Sequence, residues 1–273
     1  MEPARTDGTP TRPRAVALRG FAALFAVGLV GIVSAMPLIV DLVADVFATL
    51  ADAPELPFAA VVALALVNPL LLLALATVVG MLCAPRVRLR SRFAERMAGA
   101  PIGWPEVFDG WRIALVVGAG LGVALVALDA LTLPLLGAGG AALSIVEGRT
   151  LLVTVAGVLY GGVTEEILVR WGLMSFLVWV LWRVLGRGSD RPAPALVWTA
   201  IAIAAVAFGA LHLPTVAAVV ELTTAVVLRT VILNAIGGVA FGWLYWRRGL
   251  EAAMVAHAVA HVAMSLAALA VVR

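Results

Sequence analysis

Six ionisable side chains sit where an apolar chain has least reason to carry them. Glu165, Glu166 and Arg170 belong to the stretch Gly-Gly-Val-Thr-Glu165-Glu166-Ile-Leu-Val-Arg170. His212 closes Phe208-Gly-Ala-Leu-His212, and His257 and His261 bracket His257-Ala-Val-Ala-His261. All lie inside long apolar runs. A charged group at the centre of a bilayer costs roughly 2.5–3.5 kcal/mol on insertion scales, so such residues face a protein interior or a wet cavity and mark function. The chain has only these three histidines. A single membrane histidine is explained by one interhelical hydrogen bond worth about 1 kcal/mol. Three of them beside two glutamates call for a shared cavity.

Spacing assigns different work to these groups. On a helix, residues four apart share a face, so His257 and His261 project into one space. Glu166 and Arg170 are also four apart and can pair, with the acid on the favoured N-terminal side. Glu165 points about 100 degrees away and lacks that partner. It is free to exchange a proton, as a general base must. One histidine can share that proton and orient an attacking water, while the other two donate to the oxygen that becomes negative when a carbonyl is attacked. This inventory suffices for amide hydrolysis without a side-chain nucleophile or a cofactor. It is equally a glutamate and three histidines compatible with tetrahedral zinc, although His-x-x-x-His lacks the glutamate of the usual zinc-protease helix. A third use is a proton relay in a transporter or a docking site in a non-catalytic regulatory protein. No inverted repeat or pair of matched broken helices supports the transporter.

The elements that must position these residues are membrane helices. The chain is 63% hydrophobic and 13% charged, with a mean hydropathy of +1.10, and it holds several apolar runs beyond the ~20 residues that cross a bilayer. This predicts an all-α, polytopic, multi-pass protein of the cell membrane. Spans are expected near 19–40, 57–84, 112–136, 151–185, 195–213, 226–246 and 250–272. The run 151–185 is long, and Gly161-Gly162 could bend or split it to make eight. Asn68-Pro69 is expected to kink the second span. Residues 1–15, rich in Pro, Thr and Arg, read as a disordered tail, and residues 16–149 as N-terminal membrane helices. The one cysteine, Cys83, excludes a disulfide framework.

Every basic residue is arginine, and seven alternating spans put fifteen arginines on one side against Arg149 and Arg273 on the other. The positive-inside rule therefore puts the N-terminus in the cytoplasm. Trp104, Trp111, Trp179, Trp182, Trp198, Trp243, Tyr245 and Trp246 fall near the same ends, as an interfacial belt would. Arginines dispersed through short loops suit the inner leaflet and exclude a nucleic-acid partner. Asp129 is expected close enough to a helix end to be solvated. Arg229, Thr230 and Asn234 are expected to make interhelical bonds or to snorkel, with a place in the same cavity as the alternative. Glu251 is expected to complement the N-terminus of the last span. One difficulty stands. Counted from the arginine-rich ends, Glu165 and His212 lie roughly 26 Å deep but His257 only ~10 Å, so a tilted or broken helix or a shifted boundary must reconcile them.

Taken in order, Glu165-Glu166-x-x-x-Arg170, Phe208-x-x-x-His212 and His257-x-x-x-His261 resemble the three motifs of the CPBP intramembrane proteases, the group of CAAX-prenyl endopeptidases and bacteriocin-processing (Abi) proteins. The resemblance spans roughly 150–268. It implies an endopeptidase, often labelled a metalloprotease, that cuts membrane-associated proteins or peptides, prenylated CAAX-type substrates among them, entering from the bilayer. By that similarity Glu165 and His212 activate the water, Glu166 and Arg170 hold the helix and cavity in shape, and His257 and His261 stabilise the oxyanion. His261 departs from the family, whose members commonly carry asparagine there. A histidine donates from that position only in the right tautomer.

Overall fold

The computed structural model describes residues 13–49, 57–186 and 188–271. Most of the expected tail falls outside them, and residues 13–15 are already helical. Without water to satisfy backbone N–H and C=O groups, a membrane chain closes its hydrogen bonds within each segment. The described residues accordingly contain helices and no strand. Among the described residues seven helices are long and apolar enough to span. They are α1 (Pro13–Thr49), α2 (Phe58–Cys83), α3 (Trp111–Thr132), α4 (Leu151–Leu185), α5 (Pro194–Ala210), α6 (Thr224–Arg248) and α7 (Leu250–Val271). The run 151–185 is a single span, so among the described residues it makes no eighth, and α2 runs through Pro69 as one helix.

Small residues set the packing, because lipid tails offer helices no hydrophobic reason to associate and close backbone approach supplies it instead. On α3, Gly118 and Gly122 lie against the Ala256 and Ala260 carbonyls of α7, so closely that a Cβ at either glycine would strike backbone. Gly238 of α6 meets Ala205 of α5 in the same way. On α4, Gly172 meets Ala76 of α2, and the Trp171 indole donates to the Thr77 carbonyl at 3.3 Å.

Gly161-Gly162 does not split α4. The helix widens instead into π turns over Gly157–Glu165 and Ile167–Met174, between α-helical ends. Such turns are rare and gather at functional sites. The space beside Gly157 and Gly161 holds the His261 and His257 rings, and that beside Gly162 holds Ala258. Glycine is needed here for close approach rather than for a bend.

The basic connector after α2 is a packed layer and not a solvated loop. It contains short helices at Arg92–Met97 and Trp104–Val107, and buries Val87, Leu89, Ala94 and Val107. Ser91 caps the first of these through Ala94 N–H and donates its hydroxyl to Glu251 Oε1 at 2.6 Å. Phe93 N–H donates to the same carboxylate at 2.9 Å, and Leu250 N–H to the Arg90 carbonyl at 3.1 Å. Glu251 therefore serves the N-terminus of the connector helix, not only that of its own. Arg92 donates to the Arg248 carbonyl at the end of α6, where a cation satisfies a free carbonyl. Tyr245 leaves the expected belt altogether: it is 1% exposed and shares a 2.8 Å hydrogen bond with Ser175.

Candidate active site

A cavity of about 440 Å³ lies among α1, α3, α4, α5, α6 and α7, and Glu165, His212, His257 and His261 all line it. The depth conflict dissolves in the placement of α7. Its first residues do not start at the surface: Leu250 and Ala253 are fully buried and Glu251 is 6% exposed, beneath the connector. His257, eight residues along α7, thus reaches the level of the glutamates on α4.

Behind the cavity lies a buried ion pair. Arg170 Nη1 stands 3.0 Å from Glu166 Oε1, with both side chains excluded from solvent. Among the described residues this contact counts as an ion pair only, and Nη1 and Glu166 Oε2 have no hydrogen-bond partner. The guanidinium is held between the Phe208 and Phe241 rings, 4.8 and 5.3 Å from their centroids, and donates to the Gly238 carbonyl at 3.3 Å. Such sandwiching favours a desolvated cation.

The three histidines are oriented by different partners, and those partners decide which ring nitrogen carries the proton. His257 Nδ1 lies 2.8 Å from Glu166 Oε1. With Glu166 ionised against Arg170, Nδ1 is the donor, and Nε2 points at Glu165 Oε2 across 4.0 Å. Neutral His257 therefore offers Glu165 a lone pair, and protonated His257 offers it a proton. The ring is clamped by stacking on Phe241 at 4.4 Å. His212, in the turn after α5, has Nδ1 2.8 Å from the Phe208 carbonyl. A carbonyl only accepts, so Nδ1 donates and Nε2 is left as an acceptor.

His261 is set the opposite way, by a residue that spacing alone did not single out. Arg149 Nη2 lies 2.8 Å from His261 Nδ1 and its Nε 3.0 Å from Ser265 Oγ. Arginine cannot accept, so His261 Nδ1 accepts and the proton sits on Nε2. Both Nε2 atoms converge on one place, since a Cβ on Gly161 would lie 2.9 Å from that of His261 and 3.3 Å from that of His257. In the sequence Arg149 was one of two arginines on the poorly charged side. That misplaced charge was the available signal.

Asp129 also departs from expectation. It is 2% exposed, pairs with Arg229 and accepts from the Ile145 N–H at 3.0 Å. Arg229, Thr230 and Asn234 line the cavity. The pair ties α6 to α3 and to the segment after α3. Among the described residues no three His, Cys, Asp or Glu side chains form a group that could hold one metal ion.

Fold and site together define a class: a polytopic membrane protein with a carboxylate–histidine cavity sunk among its helices. Residues 147–263 match the model of the Rce1-like family, described as type II CAAX prenyl endopeptidase. The match takes in Arg149, both glutamates, Arg170 and the three histidines, and leaves out the first three spanning helices. Over that stretch the likeness to CPBP proteases holds, and the family indicates a membrane protease. No curated protein and no solved structure matches the chain.

Proposed function

We propose that the protein is an intramembrane endopeptidase of the CPBP type, resident in the cell membrane with its N-terminus in the cytoplasm. The observation that carries this is the opposed tautomers around one cavity, with an acceptor nitrogen on His212 and a donor nitrogen on His261. A water held by Glu165 and His212 Nε2 gives its proton to Glu165 as its oxygen attacks the peptide carbonyl. His261 Nε2–H donates to the carbonyl oxygen as it becomes negative, in a site where preorganised donors have their largest effect. His257, with Glu166 as counter-ion, takes up the proton from Glu165 and becomes a second donor. Collapse of the tetrahedral species breaks the C–N bond, and the departing nitrogen takes that proton. Glu166, Arg170 and Arg149 are positioning residues. Substrates are membrane-associated polypeptides that reach the cavity from the bilayer or its surface, and the chain's own side chains supply the chemistry without a cofactor.

The test is cleavage of a panel of lipidated and unlipidated membrane peptides by the purified protein in detergent, beside Glu165→Ala and His212→Ala, with a chelator arm. Cleavage lost in both variants and kept with chelator supports the reading. Cleavage lost with chelator and restored by zinc replaces it with the metal-dependent form. A folded wild type that cleaves no more than Glu165→Ala refutes it.

A further inference from the structure

The arginines and the cavity lie at opposite ends of the molecule. The arginine-rich end comprises the start of α1, the connector 84–110, the segment between α4 and α5, and the α6–α7 turn. The far end comprises the segments 133–150 and 211–223 with the ends of the helices they join. Much of the cavity's wall comes from that far end: Ile145 and Arg149 before α4, His212 and Thr215 after α5, Thr230 early in α6 and Met264 late in α7. Thr215 is also exposed, which marks the mouth.

Toward the arginine-rich end the same helices close. Beneath the Glu166–Arg170 pair, Met174, Leu244, Leu250 and Ala253 are fully buried and Tyr245 is sealed to Ser175. The connector then covers the start of α7 through the Ser91, Phe93 and Arg90 hydrogen bonds. Among the described residues no comparable layer covers the far end, whose exposed charges include the acids Asp41, Asp45, Glu147 and Glu221.

Short loops rich in arginine stay in the cytoplasm, and acidic residues have little say in orientation. We propose that the cavity opens to the non-cytoplasmic side of the membrane, so that its substrates are polypeptide segments displayed at, or anchored in, the outer leaflet. A lipidated tail displayed in the cytoplasm would meet only the sealed end. What is cut rests on the protease reading above; where the cavity opens does not.

The experiment keeps the two apart. In the full-length chain with Cys83→Ala, Thr215→Cys at the mouth and Ser189→Cys at the arginine-rich end are treated with a membrane-impermeant maleimide in cells whose plasma membrane is intact, and again after permeabilisation. The expected result is Thr215→Cys labelled equally in both and Ser189→Cys labelled only after permeabilisation. The reverse pattern overturns the proposal whether or not the protein cleaves anything. In parallel, sealed right-side-out and inside-out vesicles receive a membrane-impermeant peptide that the detergent-solubilised enzyme cuts. Cleavage confined to right-side-out vesicles supports the outward opening, and cleavage confined to inside-out vesicles refutes it. Failure of the detergent enzyme to exceed Glu165→Ala on any peptide sinks the protease reading and leaves the labelling to decide the opening.

Discussion

Replacing Arg149 by methionine keeps much of the side chain's apolar length but removes the donor that fixes His261 as an Nε2–H tautomer. A hydrogen bond from a charged donor contributes about 1.5–3 kcal/mol. At the low end, taken because Arg149 is only half-buried and also serves Ser265, loss of the tautomer preference lowers kcat about tenfold, at 1.4 kcal/mol per decade. The ceiling is the ~10²–10³-fold loss seen when an oxyanion donor is removed outright. KM should change little, since the donor acts on the charge that develops in the transition state. The informative assay is a double-mutant cycle. Asparagine at 261 supplies an N–H donor whatever the tautomer, so Arg149→Met should cost about tenfold with His261 present and within about twofold in the His261→Asn background. Peptide cleavage is measured for all four proteins, and thermal unfolding in detergent shows that each is folded. Equal losses in both backgrounds would refute the argument, because Arg149 would then act on something other than the His261 proton.

Three further outcomes follow from the same geometry. Glu165→Gln keeps shape and removes the base, so kcat should fall by about 10²–10⁴; with a side chain 19% exposed and no ion pair to Arg170, thermal stability should hardly move. Arg170→Met leaves Glu166 buried and uncompensated, which should cost about 3–5 kcal/mol of stability, while Arg170→Met with Glu166→Gln should cost less than the two single changes added, as read by denaturant unfolding in detergent. Gly161→Ala puts a methyl group 2.9 Å from His261 Nε2 and 3.3 Å from His257 Nε2. It should lower kcat far more than it lowers the unfolding temperature, and unchanged turnover would mean that the rings do not act from these positions.

The far-side arginine and the glycine pair show where reading by spacing stops. Gly161-Gly162 is legible as something unusual before the glutamates, and a bend is the local expectation. The π turns and the imidazoles that fill the glycines' side are a matter of what α7 brings up against them. Asp129 looked solvated because it lies near a helix end, and is buried because Arg229, a hundred residues away in the chain, reaches it. The apparent mismatch in depth came from assuming that every span starts at the membrane surface. The packed connector, held by Ser91 and Glu251, shows that α7 starts beneath it.

By itself the sequence determined that this is an all-helical membrane protein of about seven apolar spans, with an eighth left open, that Glu165, Glu166, Arg170, His212, His257 and His261 are its costly groups, and that residues i and i+4 pair as they do. Hydropathy and helical period are local, and each segment carries them wherever it packs. Only the tertiary structure decided which nitrogen of each histidine holds the proton, that Arg149 sets His261, that Asp129 is paired and not solvated, and at which end the cavity lies. These depend on how far each helix is rotated and offset against its neighbours. A shift of one residue exchanges one polar partner for another without altering the pattern along either helix.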